Sequence, residues 1–532
     1  MAAPQARLQV RLSIREGNRY EGKSLASSAS GAITEYLLMT AGARSAKPSG
    51  LSNIYPLNYR SPGNYKYRAM STLLQDLGRI ITDPERIVTD NIDRKFLSDQ
   101  LGRKQGHADA LVFVLSTEEV SGVLRYAHEH DIAVTPRGAG TNLVGSTVPQ
   151  KGGIILDVSR MNRILELDED TFTVTVEPGI LLRDLQAYVE ERGLFYPPDP
   201  GEKEASIGGN ISTNAGGMRA VKYGVTRDYV RGLELVTADG TVMTVGTKNV
   251  KDTTGLPLKH LVIGAEGTLA VITKCILRLI PKPETTVSVL VSYSDLKTGI
   301  GSVIRILRAN ADPVAVEFME RNVVTLGEAY AGVKYPGTPE SVRSAESYIL
   351  LSFDGRREEV ERKVARVRRL AFENGALDYL PLWDAKQAAD IWAVRGALVK
   401  AVEAVSEQEP IDLVVPIDRS EEFIRFVNEL SSRTGMQMIS FGHAGDGNVH
   451  LCIVRGDRDE ETWERELDAN LTELYRRIYE IGGLISGEHG LGISKRKYFF
   501  KETASANVDW MNRIKDALDP KHILNDRISY IR

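Results

Sequence analysis

The chain has 532 residues, enough for roughly three domains or two large ones. Its 42% hydrophobic and 26% charged content is that of a globular protein, and a net charge of −4 gives no electrostatic case for binding nucleic acid or an acidic membrane. Two cysteines, Cys275 and Cys452, form no disulfide framework and suit a reducing compartment, and no apolar run reaches the ~18 residues of a membrane-spanning helix. Residues 1–69 are rich in Ser, Gly and Arg and lack a sustained hydrophobic period. They read as a disordered extension ahead of a start at Met70. A targeting peptide is the alternative, since Arg7, Arg11, Arg15 and Arg19 are evenly spaced. A cytoplasmic location is expected, free or peripheral to a membrane, or an organellar one if the extension is a transit peptide.

From residue 71 the pattern is regular. Ala110–Leu115, Glu118–His130 and Ile132–Thr135 read as strand, helix and strand, with the glycine loop Pro136-Arg-Gly-Ala-Gly-Thr-Asn-Leu-Val-Gly145 directly after them. Ile154–Val158 and Phe172–Val176 read as strands and Leu181–Glu191 as an amphipathic helix. Asp239-Gly240 inside Leu233–Val245 signals a hairpin. Apolar runs at Leu261–Ile263 and Leu269–Leu279 complete a first α+β region, which Pro281-Lys-Pro283 separates from the rest. Beyond it, Val287–Tyr293, Ala315–Phe318 and Tyr348–Phe353 read as strands, and Ile300–Arg308 and Glu358–Phe372 as helices. This predicts an antiparallel sheet covered by helices on one face. Further helices are predicted at Ala385–Val405, Glu421–Ser432, Thr462–Ile481 and Val508–Leu518.

The run Ser206-Ile-Gly-Gly-Asn-Ile-Ser-Thr-Asn-Ala-Gly-Gly217 holds two Gly-Gly doublets, two Asn residues and no charge. Glycine allows a backbone to lie directly against a ligand, and Ile207 and Ile211 mark the run as packed rather than as a linker. It matches neither the G-x-G-x-x-G fingerprint nor the phosphate loop G-x-x-x-x-G-K-[ST], so a different cofactor fold is expected.

Two C-terminal clusters carry candidate chemistry in a chain with only eight histidines. His443-Ala-Gly-Asp-Gly-Asn-Val-His450 lies between strand-like runs, and Gly487-Glu-His-Gly490 follows a long helix. His443, His450 and Glu488 could give a divalent metal two imidazole nitrogens and a carboxylate, leaving positions open for substrate. His489 would then serve as general base. On spacing alone, hydrogen-bonded structural histidines fit as well. Arg395 could anchor an acidic substrate through its guanidinium fork, or form a surface ion pair with Asp390 or Glu403.

Together with Pro197-Pro-Asp-Pro200, Tyr223-Gly224 and Ala265-Glu-Gly-Thr-Leu269, these motifs resemble a known family. The first half is similar to the FAD-binding domain shared by vanillyl-alcohol oxidase and para-cresol methylhydroxylase. The second half resembles the FAD-linked oxidase domain of D-lactate dehydrogenases, glycolate oxidases and D-2-hydroxyglutarate dehydrogenases. The resemblance runs from about residue 71 to 532. It implies an α+β protein with a two-part FAD-binding domain over 70–283 and a substrate- and metal-binding C-terminal domain over 284–532, built of antiparallel sheet plus helices, whose tail returns to the flavin.

The resemblance assigns cofactor contact to Arg137, Gly138, Ala139, Gly140, Thr141, Asn142 and Gly145 in the first loop, and to Pro198 and Asp199. It adds Ser206, Gly208, Gly209, Asn210, Asn214 and Gly217 in the glycine run. Glu266, Gly267 and Ile272 would lie along the adenosine and ribitol portion, with Asn525 near the flavin ring. Covalently flavinylated relatives carry a His where this chain has Thr141, so non-covalent FAD is expected. The resemblance also implies a metal, Zn²⁺ or Mn²⁺, on His443, His450 and Glu488, with His489 as base and Arg395 pairing with the substrate carboxylate. A D-2-hydroxy acid would be oxidised to the 2-oxo acid, its α-hydrogen passing as hydride to the flavin.

Enzymes for 2-hydroxyglutarate present a Thr four residues after the Arg and an Asn two residues after the second metal His, where this chain has Val399 and Cys452. Their Lys ahead of the Asp-containing strand is also missing, with Ile411 before Asp412. A second carboxylate would lack partners, so D-lactate, glycolate or a longer aliphatic 2-hydroxy acid is expected, with D-2-hydroxyglutarate as the alternative. Readings of another class are a transferase like alkyl-dihydroxyacetone-phosphate synthase and a flavin-binding subunit without turnover of its own. The former carries consecutive His residues where this chain has Glu488-His489-Gly490. No nicotinamide fingerprint or Cys cluster is present, so electrons are expected to leave to an electron-transferring flavoprotein, a cytochrome, a quinone or oxygen. A homodimer is compatible with this reading.

Overall fold

Alternation and capping explain the elements of the first half. The computed structural model describes residues 72–531, so the expectations for residues 1–69 lie outside it. In the helix Thr117–Glu129, Ser116 accepts from the Glu119 N–H at the N-terminus, while Val120, Val123, Leu124 and Ala127 bury one face. This helix connects Ala110–Phe113 to Val134–Arg137, and both strands pair in parallel with Ile154–Asp157 between them. Ile87–Val88 completes this four-stranded sheet. A five-stranded antiparallel sheet follows, in the order Ile164–Asp168, Thr173–Val176, Val271–Arg278, Val230–Val236, Val242–Gly246. The hairpin turns at Gly240, whose φ of +83° suits glycine.

The second half is built on a seven-stranded antiparallel sheet. Its order is Ala376–Leu382, Thr285–Tyr293, Ser347–Gly355, Ala315–Glu320, Met438–His443, Asn448–Val454, Gln408–Val414. Helices cover both faces rather than the single face expected. Leu296–Arg308, Arg357–Glu373, Ser420–Thr434 and Glu460–Glu480 pack one apolar core, which takes Val316, Phe318, Val449 and Leu451 from the strands. Arg321–Ala331, Ala385–Gly396 and Leu398–Glu403 pack the other, with Met319, Ile439, Phe441 and Cys452. Both parities of these strands are apolar, which a sheet buried on two sides requires. The helix expected over Ala385–Val405 breaks at Gly396–Ala397 into two.

Among the described residues, none of the sheets pairs strands from the two sides of residue 283. The tail nevertheless returns to the first sheet. Val134 N–H donates to the Ile523 carbonyl at 2.7 Å, and Asn525 N–H to the Val134 carbonyl at 2.8 Å. Among the described residues no helix is long and apolar enough to cross a membrane.

Candidate active site

Period-two alternation places Glu317, Phe441, His443, His450 and Cys452 on one face of the seven-stranded sheet, beneath the helix that carries Arg395. Glu317 stands opposite His443, and His450 lies between Phe441 and Asp412 in register. Glu488 and His489 come from the segment after Glu460–Glu480. The Nε2 atoms of His443 and His450 lie 3.6 and 3.5 Å from Glu488 Oε1. Zinc bonds of about 2.0–2.2 Å in a tetrahedron put neighbouring ligand atoms ~3.3–3.6 Å apart, so both spacings to Glu488 suit a shared divalent cation. All three candidate ligand atoms lie within 4.8 Å of one another. The other oxygen, Glu488 Oε2, is buried without a hydrogen-bond partner and lies toward Gly216. The His489 ring stacks on His450, with centroids 5.8 Å apart.

Two carboxylates not singled out in the sequence hold this cluster. Glu317 Oε1 accepts from His443 Nδ1 at 2.7 Å, and Oε2 accepts from Arg395 Nε at 2.7 Å. Arg395 is therefore buried and paired with Glu317, not with Asp390 or Glu403, and it lies over the Phe441 ring. Burial would raise the Glu317 pKa, but the charges of His443 and Arg395 outweigh it and hold the carboxyl below its ordinary value. Asp412, fully buried, accepts from three successive backbone N–H groups, those of Gly487, Glu488 and His489. A single acid inside an apolar strand run was the available signal for each, because a buried charge demands partners.

A cavity of about 770 Å³ opens onto this cluster and extends to both glycine loops. Arg137, Gly138, Ala139, Gly140, Thr141 and Asn142 line it on one side. Ser206, Gly208, Gly209, Asn210, Glu266, Gly267 and Ile272 line it too, and Arg395, His443, His450, Glu488 and His489 lie at its other end. The glycine run is not an open loop. Residues Ile207–Thr213 form a short helix capped by Ser206, and Ile207 and Ile211, one turn apart, are fully buried beneath it. A Cβ on Gly138 would collide with Ser206 Oγ, and Ala139 N–H donates to that oxygen at 3.2 Å, so the two loops abut. Their remaining side faces the cavity. A pocket of this size, walled by glycine backbone at one end, fits an extended cofactor.

Six expected cofactor residues support the wall instead of lining it. Gly145 packs toward Ile493. The Pro198 carbonyl accepts from Gln186, and Asp199 pairs with Lys203 and Arg219. Asn214 ends the short helix at φ +52° and accepts from Arg227 N–H, while Gly217 packs against the Asp199 carbonyl. Asn525 donates to the Ser146 and Glu266 carbonyls at 2.8 and 2.7 Å, tying the returning tail to the cavity wall from behind. Val399, Ile411 and Cys452 all border the cavity, but Ile411 belongs to the core of the opposite face. Its neighbour Pro410, on the edge strand, is the residue in register with Cys452.

Comparison with known proteins agrees with this arrangement. Residues 108–246 match the family described as FAD binding domain, and residues 282–528 match FAD linked oxidases, C-terminal domain. A D-lactate dehydrogenase of Anaerostipes hadrus is 38% identical over 465 residues, covering 87% of this chain and 98% of that protein. Glycolate oxidase subunit GlcD of Bacillus subtilis is 36% identical over 451 residues, covering 84% of this chain and 94% of that protein. The structure of p-cresol methylhydroxylase shares the fold at a TM-score of 0.72 and 18% identity, over 88% of this chain and 98% of that one. With glycine-walled cavity, domain matches and near full-length relatives in agreement, the chain belongs to the FAD-linked oxidase family and is an FAD-dependent oxidoreductase.

Proposed function

We propose that the chain oxidises a D-2-hydroxy acid to the 2-oxo acid, with D-lactate or glycolate preferred to a diacid, and passes the electrons to an acceptor other than a nicotinamide. The observation that carries this reading is the continuous cavity joining the glycine walls to the His443, His450 and Glu488 cluster. FAD, held without a covalent bond, supplies the hydride acceptor. Zn²⁺ or Mn²⁺ on the three ligands would supply the positive charge that favours a developing alkoxide.

The chain's own residues do the rest. Glu317 accepts a hydrogen bond from His443 Nδ1–H and so keeps the proton on that nitrogen, which directs the Nε2 lone pair of the neutral ring toward a cation. His489 borders the cavity beside these ligands and takes the substrate's hydroxyl proton. Arg395, held by Glu317 at the cavity wall, favours the substrate carboxylate. Val399, Pro410 and Cys452 are uncharged and offer a second carboxylate no partner of their own, which favours a small or aliphatic side chain, with Lys400 the basic residue next to Val399 on the cavity lining.

Anaerobic mixing of the FAD-loaded protein with D-lactate, glycolate, L-lactate and D-2-hydroxyglutarate tests this. Rapid bleaching by D-lactate or glycolate is expected, with slow bleaching by the diacid and by L-lactate. Absence of bleaching by every D-2-hydroxy acid overturns the proposal. Faster bleaching by the diacid overturns the substrate preference alone.

A further inference from the structure

Glu488 and His489 sit in a segment that is neither helix nor strand, although the proposed chemistry needs both side chains held within a fraction of an ångström. Their backbone is fixed from outside. Asp412 Oδ2 accepts from the N–H groups of Gly487, Glu488 and His489 at 2.9, 3.0 and 3.0 Å, and from the Ser486 hydroxyl at 3.1 Å. Its other oxygen, Oδ1, accepts from Asn448 Nδ2 at 2.8 Å. Lys495, from the same segment and 2% exposed, donates to the Asp412 carbonyl at 3.0 Å and brings its ammonium within 3.4 Å of Oδ2. Asp412 does not border the cavity.

We infer that Asp412 is a positioning residue that sets Glu488 and His489 together, by gathering three consecutive backbone N–H groups onto one carboxylate oxygen. Three successive donors converging on one acceptor fix the direction of each intervening side chain, because the peptide planes between them can no longer rotate. The strand that carries Asp412 is itself held in register against His450. One residue thereby relates the second histidine ligand, the carboxylate ligand and the base. The inference rests on the functional reading above for what the two side chains do, and on geometry alone for how they are held.

The test uses the FAD-loaded full chain carrying Asp412→Asn. The amide is of similar size but loses the charge paired with Lys495 and half of the acceptor capacity. Flavin content is expected to stay at the wild-type level, while peptides covering residues 484–492 take up deuterium faster. Affinity for Mn²⁺ should fall by about 10–100-fold, the range typical of residues that orient metal ligands. The rate constant for flavin reduction at saturating D-lactate should stay at least about tenfold low even in saturating Mn²⁺, because His489 is displaced along with Glu488. Wild-type deuterium uptake together with wild-type Mn²⁺ affinity overturns the inference.

If Asp412→Asn does not fold, Ser486→Ala removes one donor to the same oxygen. It should then lower Mn²⁺ affinity a few-fold and loosen the same peptides, and no change in either quantity overturns the inference. If the wild-type protein takes up no metal and no D-2-hydroxy acid reduces its flavin, the functional reading is what has failed. Deuterium uptake in the variant then decides the role of Asp412 by itself.

Discussion

Glu317 faces His443 across adjacent antiparallel strands, and its carboxylate joins that imidazole to Arg395. One fully buried acid thus holds a candidate metal ligand and a candidate substrate anchor at once. Replacing Glu317 by Ala should cost about 3–5 kcal/mol, since it leaves the buried Arg395 without its counter-charge. Glu317→Gln should fold, yet bind Mn²⁺ or Zn²⁺ about 10–100-fold more weakly, because the amide has a single acceptor oxygen for two donors. Urea denaturation and metal titration of the two variants check this. Wild-type metal affinity in Glu317→Gln would refute it.

The metal-free protein should be most stable near neutrality. Burial would depress His443, but the Glu317 carboxylate, and after it Glu488, outweigh burial and hold it up at about 10. His450 is depressed to about 3, first by burial and then by the charge of His443. For His443 the folded state binds the proton more tightly, so its contribution is complete below the ordinary value of ~6.5 and is lost as pH rises toward about 10. For His450 the unfolded state binds the proton more tightly, so its contribution is present above ~6.5 and is lost as pH falls toward about 3. The urea midpoint of the metal-free protein should therefore peak near pH ~6.5 and fall on both sides. Metal binding must expel the proton from His443, so metal affinity should rise with pH over the same alkaline range. A flat urea profile would exclude this coupling.

What was legible in the sequence follows from how local each signal is. His443, His450, Glu488 and His489 stood out because histidine is rare in this chain and glycines surround each cluster. Glu317 and Asp412 did not stand out, because their importance comes from strand register and from contacts with segments some 75–125 residues away. The glycine run was legible as a packed wall but not as a helix. Glycine has low helix propensity, and only the Ser206 cap and the burial of Ile207 and Ile211 override it. Asn525 and Asp199 illustrate a further limit. Motif likeness put them at the cofactor. The Asp199 carboxylate instead pairs with Lys203 and Arg219, and the Asn525 amide donates to the Ser146 and Glu266 carbonyls, while Asn525 Oδ1 is buried without a hydrogen-bond partner.

Gly140→Ala tests the first loop. The residue has φ +76°, and an added Cβ would run into the Arg137 guanidinium. The left-handed backbone alone costs a non-glycine residue about 1–2 kcal/mol. Arg137 cannot easily yield, since it donates to the Lys95 carbonyl at 2.8 Å and to Thr147 Oγ1 at 3.2 Å. The variant should be purified with less than half of the wild-type flavin per chain and melt at a lower temperature. Full flavin content would mean that this loop does not bear on the cofactor.

The substrate preference should be reversible at Val399 and Cys452. Val399 is half-buried and Cys452 fully buried, and both border the cavity at the Arg395 end. Val399→Thr and Cys452→Asn together would provide a hydroxyl and an amide where the wild-type chain has none. An unsatisfied buried amide costs about 1–3 kcal/mol, so the free double variant should be less stable than wild type. A bound diacid would satisfy those groups and recover that cost, whereas D-lactate is too short to do so. The ratio of kcat/KM for D-2-hydroxyglutarate to that for D-lactate should therefore rise by about tenfold or more. The diacid, but not D-lactate, should also raise the melting temperature of the double variant. If the ratio stays unchanged in a variant that folds and keeps its flavin, side-chain selection does not take place at these two residues.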